Sequence, residues 1–251
     1  MIEPWWIYPL LVLCGFVAGV VNTLAGSGSL LTLPVFLLSG LPPQIANGTN
    51  RIGVLIQSLA GVVAFRKAGR LELEGRGGIV GATIFGSLPG AWLASELNPE
   101  VMQVVMFVVM SLLLALILIN PKPAVPGAGG ARWPALMLAL LSGLYGGFIQ
   151  AGVGILLLVM LSLMGNLDLV RANAIKLVCV IAFTLPALIL FVLRDQVAWM
   201  PGLAVAGGQA LGSILAVRFS VKAKGADAWI RALLIALTLA ALTKLGLEWM
   251  R

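Results

Sequence analysis

The 251-residue sequence contains no histidine, only two cysteines and two tyrosines, and very little charge: Asp, Glu, Lys and Arg together make up 10%. Each scarcity excludes something. Without histidine there is no imidazole base, shuttle or metal ligand. Cys14 and Cys179 each stand alone inside an apolar run, without metal or redox spacing, and read as small core hydrophobes. The carboxylates Glu3, Glu72, Glu74, Glu96, Glu100, Asp168, Asp195, Asp227 and Glu248 all fall at expected loops or helix ends. A buried Asp, Glu or His relay, the usual device for proton coupling in membranes, is therefore missing. An enzyme in the membrane would need a nucleophile with a base or a metal cluster, and neither is visible. No catalytic residue, metal or cofactor is expected.

What is present is apolar. Hydrophobic residues reach 61% and mean hydropathy is +1.08, whereas soluble domains carry about a quarter charged residues. The class is an all-α polytopic membrane protein, with no room for a soluble domain. The net charge of +7 resides in short loops, where it orients helices; nucleic acid is not expected as a partner. The start, Met1-Ile2-Glu3-Pro4-Trp5-Trp6, lacks a basic n-region, so a cleaved signal peptide is not expected.

The stretch from Gly15 to Arg51 organises the rest. The apolar unit 8–40 would measure roughly 50 Å as one helix, too long for a core of about 30 Å. Gly26-Ser27-Gly28-Ser29 breaks it, and Pro42-Pro43 closes it. Loosened backbone in lipid is tolerated only where protein covers it or a wet cavity meets it. A helix starting after Gly28 would aim free N–H groups and a positive dipole end at that place. Spans 45–65, 78–94 and 101–119 follow, then a Pro/Gly linker at 121–132. A second overlong unit, 133–165, is interrupted at Gln150-Ala151-Gly152-Val153-Gly154 and followed by spans 170–193, 199–217 and 228–245.

The second half repeats the first at an offset of 126 residues. Gly26 maps onto Gly152, Gly28 onto Gly154, Ala46-Asn47 onto Ala172-Asn173, Phe65 onto Phe191 and Gly86-Ser87 onto Gly212-Ser213. Loop charge gives the relation between the halves. Arg66, Lys67, Arg70 and Arg76 crowd one loop, and its counterpart at 192–202 holds only Arg194. The bias reverses in the next loop, where 93–100 has no Lys or Arg and 218–226 has Arg218, Lys222 and Lys224. Under the positive-inside rule the halves are inverted. Each is then a re-entrant hairpin plus three spanning helices, giving repeats 1–120 and 133–251 with a cytoplasmic linker and both termini outside. Full spans in place of the hairpins would give eight crossings and parallel halves, against the loop charges.

The run Gly26-Ser27-Gly28-Ser29-Leu30-Leu31-Thr32-Leu33-Pro34, then Gly40-Leu41-Pro42-Pro43 and Ala46-x-Gly48-Thr49-Asn50-Arg51, resembles the first repeat of the sulfite exporter TauE/SafE family. Leu169-Val170-Arg171-Ala172, Lys176-Leu177, Val197-x-Trp199 and Gly207-Gly208-Gln209-Ala210-Leu211-Gly212 are similar to its second. Ser27 and Ser29 dilute the family's Gly-rich turn, and the second turn reads Gln150 to Gly154 where Gly and Pro are commoner. The resemblance implies a transporter exporting sulfite, sulfonates or related small organic anions across a bacterial inner membrane.

The residues expected to meet such a substrate are Asn22, Gly26, Ser27, Gly28, Ser29, Asn47, Thr49, Asn50, Arg51, Gln150, Gly152, Gly154, Asn173 and Lys176. Arg51 lies about two turns into its helix, roughly 9 Å along the axis, and Lys176 is placed comparably in the other copy. Cations embedded in a membrane are expensive and usually functional, although snorkelling to headgroups competes. Gln57, Thr184 and Gln209 read as polar glue between helices. The expected partners are a small anion, the bilayer and, as an option, a second copy in a homodimer. An anion channel and an uptake carrier coupled to Na⁺ or H⁺ are the competing functions. Export needs no relay, because at 100 mV each exported negative charge gains about 2.3 kcal/mol.

Overall fold

The computed structural model describes residues 5–119, 132–163 and 169–219, together with 239, 242, 243, 246 and 247. The expected linker 121–132 apart from Arg132, Lys222, Lys224 and most of the expected span 228–245 lie outside the described residues. All regular structure among the described residues is helical. The long helices are α1 (Ile7–Ala25), α2 (Ser29–Leu38), α3 (Pro43–Lys67), α4 (Gly77–Glu96), α5 (Pro99–Ile119), α6 (Arg132–Phe148), α7 (Val153–Leu163), α8 (Leu169–Leu193) and α9 (Trp199–Phe219). Four of them, α1, α4, α8 and α9, are long and apolar enough to cross a membrane.

Local chemistry sets the boundaries. α1 stops where Gly26 turns left-handed at φ 78°, its N–H returning to the Asn22 carbonyl at 2.9 Å. Only two residues separate Gly26 from α2, which at ten residues is about 15 Å long. Pro43 occupies the first position of α3, where its missing N–H costs nothing, and Arg66 and Lys67 face the negative end of the same helix dipole. Asn98 caps α5 by accepting the Val101 N–H at 2.8 Å.

The bundle is inside out relative to a soluble one. Phe85, Trp92, Leu112 and Leu211 are exposed, whereas Gln44, Asn47, Thr49, Asn50, Arg51, Gln57 and Ser58 of α3 are buried. A solvent of lipid explains the apolar exterior. It also explains why α3, long enough to span at 25 residues, is too polar to read as a span by hydropathy.

Small residues let the helices touch. A β-carbon on Gly15 would stand 2.3 Å from the Val205 carbonyl oxygen, and one on Gly212 would stand 2.1 Å from that of Phe16. The same packing joins α4 to α6, where a β-carbon on Gly86 would stand 2.1 Å from the Leu140 carbonyl oxygen and one on Gly147 2.2 Å from that of Ser87. Residue numbers rise together in the contacts of α1 with α9 and of α3 with α9, so these three helices run parallel. Gly48 lies against Phe191 and Gly61 against Leu177, so α8 opposes them.

These directions place the broken units. α2 folds back along α1, with Gly28 against Ala18 and the Cys14 thiol 3.8 Å from the Leu31 carbonyl. α3 then starts at the end of the bundle from which α1 started. α6 starts beside α4, where a β-carbon on Gly78 would lie 3.5 Å from Leu136. α8 starts beside the loop carrying Glu72, through an Arg171–Glu72 ion pair of 3.2 Å. The α6–α7 unit therefore leaves from and returns to the opposite end. The tips meet: a β-carbon on Gly26 would sit 2.5 Å from the Gly154 carbonyl carbon.

Candidate functional site

The polar run on the first half of α3 fans out to four different helices. Thr49 Oγ1 accepts the Ala198 N–H at 2.8 Å and so ties α3 to the entry of α9. Asn50 faces α2, accepting from Thr32 Oγ1 at 2.5 Å and donating to Ser29 Oγ at 3.2 Å. Asn47 donates to the Phe148 carbonyl at 2.8 Å. Arg51, one turn further on and fully buried, donates through Nη1 to the Gly146 carbonyl at 3.0 Å. Its Nη2 reaches the carbonyls of Gly147 at 2.5 Å and Phe148 at 3.3 Å, and the guanidinium stacks 4.6 Å from the centroid of Phe191.

The reason lies at the end of α6. The last carbonyls of a helix have no intrahelical partner and carry its negative dipole end. In lipid no water can satisfy them. A planar fork with five donors suits several converging carbonyls.

Lys176 does the reciprocal work. Its ammonium donates to the carbonyls of Asn22 at 2.9 Å and Thr23 at 3.1 Å, and to Asn173 Oδ1 at 2.6 Å. Those three bonds use all three of its hydrogens. A cation on α3 thus closes the end of α6, and a cation on α8 closes the end of α1. The Asn22 side chain turns back to accept the Gly28 N–H at 3.3 Å, and Thr23 Oγ1 donates to Ser213 Oγ at 2.8 Å.

The two glycine turns lie between these clasps. Leu30 and Leu31 return their N–H groups to the carbonyls of Ser27 and Gly28, each at 3.0 Å. Ser27 is buried. In the second turn Gln150, at φ 68°, takes the left-handed position that Gly26 holds in the first, and Gly152 follows at φ 70°. Gln150 Nε2 donates to Thr184 Oγ1 at 2.6 Å, while its Oε1 is unpartnered.

The structure therefore brings together Gly26, Ser27, Gly28 and Asn22 with Gly154 and the Lys176–Asn173 pair. It gathers Asn47, Arg51 and Gln150 around the end of α6, and sends Thr49 and Asn50 to other helices. Thr23, Thr32, Phe191 and Ser213 join these clusters without any signal in their own sequence neighbourhoods. Gln57 and Gln209 are fully buried with all four polar atoms unpartnered, as is the Ser58 hydroxyl. Isolated polarity in an apolar run is the signal that marks Gln57 and Gln209 in the sequence as glue between helices, and it could have found Ser58 as well.

Electrostatically the interior is one-sided. Arg51 and Lys176 are buried, whereas the carboxylates among the described residues, Glu72, Glu74, Glu96, Glu100 and Asp195, are exposed. No group of His, Cys, Asp and Glu able to hold a metal occurs among the described residues. Two buried positive charges facing only carbonyl and amide dipoles favour a negative guest.

Comparison with known proteins agrees in class. The "Probable membrane transporter protein" of Haemophilus influenzae is 28% identical over 221 residues, covering 86% of each chain. "Probable membrane transporter protein ORF9" of a Sinorhizobium species is 24% identical, over 92% of this chain and 88% of its own. "Probable membrane transporter protein YfcA" of Escherichia coli K12 is 25% identical, over 86% of this chain and 81% of its own. No solved structure matches. The family model described as "Sulfite exporter TauE/SafE" matches residues 11–245, so with nearly its whole length this chain belongs to the TauE/SafE family.

Proposed function

We propose that this protein is a secondary carrier that exports a small oxyanion, such as sulfite, an organosulfonate or a related organic anion, across the inner membrane. The observation that carries the reading is the pair of buried cations, with no buried counter-charge among the described residues, each clasping a helix end beside the touching turns at Gly26 and Gly154. An anion entering that region completes the charge balance. Asn22, Ser27, Ser29, Asn47 and Gln150 supply neutral donors along its route, and Gly152 keeps the second turn narrow.

The architecture that fits is a pair of inverted repeats, 1–120 and 133–251, each with a re-entrant hairpin and three spans. The parallel course of α1, α3 and α9 supports a hairpin that returns to its starting side, even though α1 alone is long enough to cross. Exposed Trp92 and Trp199 lie at the end where Trp5 and Trp6 start α1, and Trp133 lies at the other, as interfacial belts would. With 66–76 inside, both termini are outside and the linker is cytoplasmic. Carriers built this way bind substrate at the meeting point of broken helices and rock one repeat against the other.

Efflux from proteoliposomes loaded with sulfite or 2-hydroxyethanesulfonate tests the function. Saturable efflux accelerated by an imposed potential, negative on the loaded side, is the expected result. Efflux indifferent to potential and to loading concentration, or equal to that of protein-free vesicles, defeats the reading.

A further inference from the structure

We propose that Gln57 and Gln209 hold the oxyanion head of the substrate, through neutral hydrogen bonds, at the junction of α1, α3 and α9. This rests on the anion-carrier reading and names the residues that contact the anion.

Both side chains are fully buried, and both ends of both carboxamides lack a partner. They face the same junction. Gly53, Gln57 and Gly61 recur at four-residue spacing along α3, and a β-carbon on Gly53 would lie 2.0 Å from Gln209 Oε1. One on Gly61 would lie 2.6 Å from Ser213 Oγ, so Gln57 faces α9 between Gln209 and Ser213. On its other side Gln209 abuts α1, its carbonyl oxygen 2.2 Å from a β-carbon on Gly19. One turn further along α1, Thr23 bonds Ser213 with its side chain and Lys176 with its carbonyl.

Two features make this a site and not scaffold glue. The first is the counterpart position: the 126-residue offset maps Gln57 onto Phe183 and Gln209 onto Thr83. There Phe183 is fully buried, and the Thr83 hydroxyl is satisfied by the Val80 carbonyl at 2.8 Å. The same helical frame thus closes on one side with a phenyl ring and a locally satisfied hydroxyl, so the carboxamides of the other are not required to build it. The second is charge. Lys176 spends all its hydrogens on carbonyls and Asn173, so it attracts an anion through space without touching it. Gln57 and Gln209 together offer four N–H donors to the oxygens of the anion, and their two carbonyl oxygens accept hydrogens from it or its tail. The guest that fits is a small oxyanion still carrying an O–H or N–H.

The experiment uses sulfite and 2-hydroxyethanesulfonate as probes of full-length protein in nanodiscs, read by calorimetry and thermal shift. Gln57→Met/Gln209→Met keeps side-chain length and removes four unpartnered polar atoms. The expected result is an unliganded Tm equal to or above wild type, with affinity for both probes lowered about tenfold or more. Each single Met variant should lose affinity by the same criterion, and Thr83→Val on the counterpart side should not. A smaller loss in the folded double variant or in both singles overturns the proposal. So does failure of all three Met variants to fold, because the pair would then belong to the scaffold. If wild-type protein binds neither probe, the anion-carrier reading itself falls; if it binds and the Met variants bind equally, only this assignment falls.

Discussion

The Lys176 ammonium lies 2.9 Å from the Asn22 carbonyl oxygen, joining a cation of the second half to a helix end of the first. Arg51 makes the converse bond to Gly146 at 3.0 Å. Each clasp runs from an unbroken helix of one half, α8 or α3, to the end of a helix in the broken unit of the other. The halves are thereby locked to each other by groups that also make the interior positive.

Removing the lock should be costly. Lys176→Met takes the ammonium from the buried Thr23 carbonyl and leaves the Asn22 carbonyl with the Gly26 N–H alone. Hydrogen bonds to charged groups contribute about 1.5–3 kcal/mol each, so stability should fall by at least that amount. Lys176→Arg keeps the charge but brings a larger, planar head, and should recover part of the loss. Thermal or denaturant unfolding in detergent checks the order wild type, Arg, Met. A Met variant as stable as wild type would remove the clasp from the energetics.

The turns make a steric prediction. A β-carbon on Gly154 would stand 2.4 Å from Gly26 Cα, with backbone on both sides and nothing flexible to yield. Gly154→Ala should therefore separate the tips and lower stability, and Gly154→Val should do so more. Gly77 meets nothing within 4 Å, so Gly77→Ala is the matched control and should be neutral. Tm values of the three variants suffice to check this.

Much of this was legible along the chain, and the rest depends on which helices meet. Gly26, Pro42 and Pro43 punctuate the sequence by backbone chemistry alone, so the break and the start of α3 follow from local rules. The 126-residue offset carries both ends of α3 onto those of α8. It slips before the turns, however: Gln150, 124 residues on, as well as Gly152, takes a left-handed φ like that of Gly26. The pairs Gly212–Phe16 and Gly86–Leu140 then relate α1 to α6 by 124 residues. A shorter connection in one copy is invisible when small residues match easily at several registers. The partners of Arg51 and Lys176 were also hidden, because backbone carbonyls look alike in every sequence. Only the packing shows that Gly146 and Asn22 are helix ends within reach of a cation some 95 or 154 positions away.

Orientation can be checked residue by residue. In a variant with Cys14 and Cys179 replaced by Ser, single cysteines at Ala68 and Asn98 should label from opposite sides. Ala68 follows Arg66 and Lys67 and should react with an impermeant maleimide only after permeabilisation. Asn98 lies between α4 and α5, near the Arg194–Glu96 ion pair, and should react in intact cells. Labelling of both from the same side contradicts the charge-based orientation.

The last prediction separates charge from contact at Arg51. Its guanidinium holds the end of α6 and stacks on Phe191, so its effect on an anion bound nearby is through space. At a separation of roughly 8 Å and an effective dielectric near 20, one charge is worth about 2 kcal/mol, roughly thirtyfold in affinity. Arg51→Gln removes the charge and should lose about that much anion affinity. Arg51→Lys keeps the charge but has no planar fork for the three carbonyls and stacks less well on a ring. It should therefore lose stability, as Gln does, while binding the anion nearly as wild type. Calorimetric titration and unfolding of both variants give the two readouts independently. If Lys binds as poorly as Gln, the fork itself touches the anion and the through-space role is wrong. If Gln binds as well as wild type, Arg51 serves only the end of α6, and the anion is held by neutral donors and Lys176 alone.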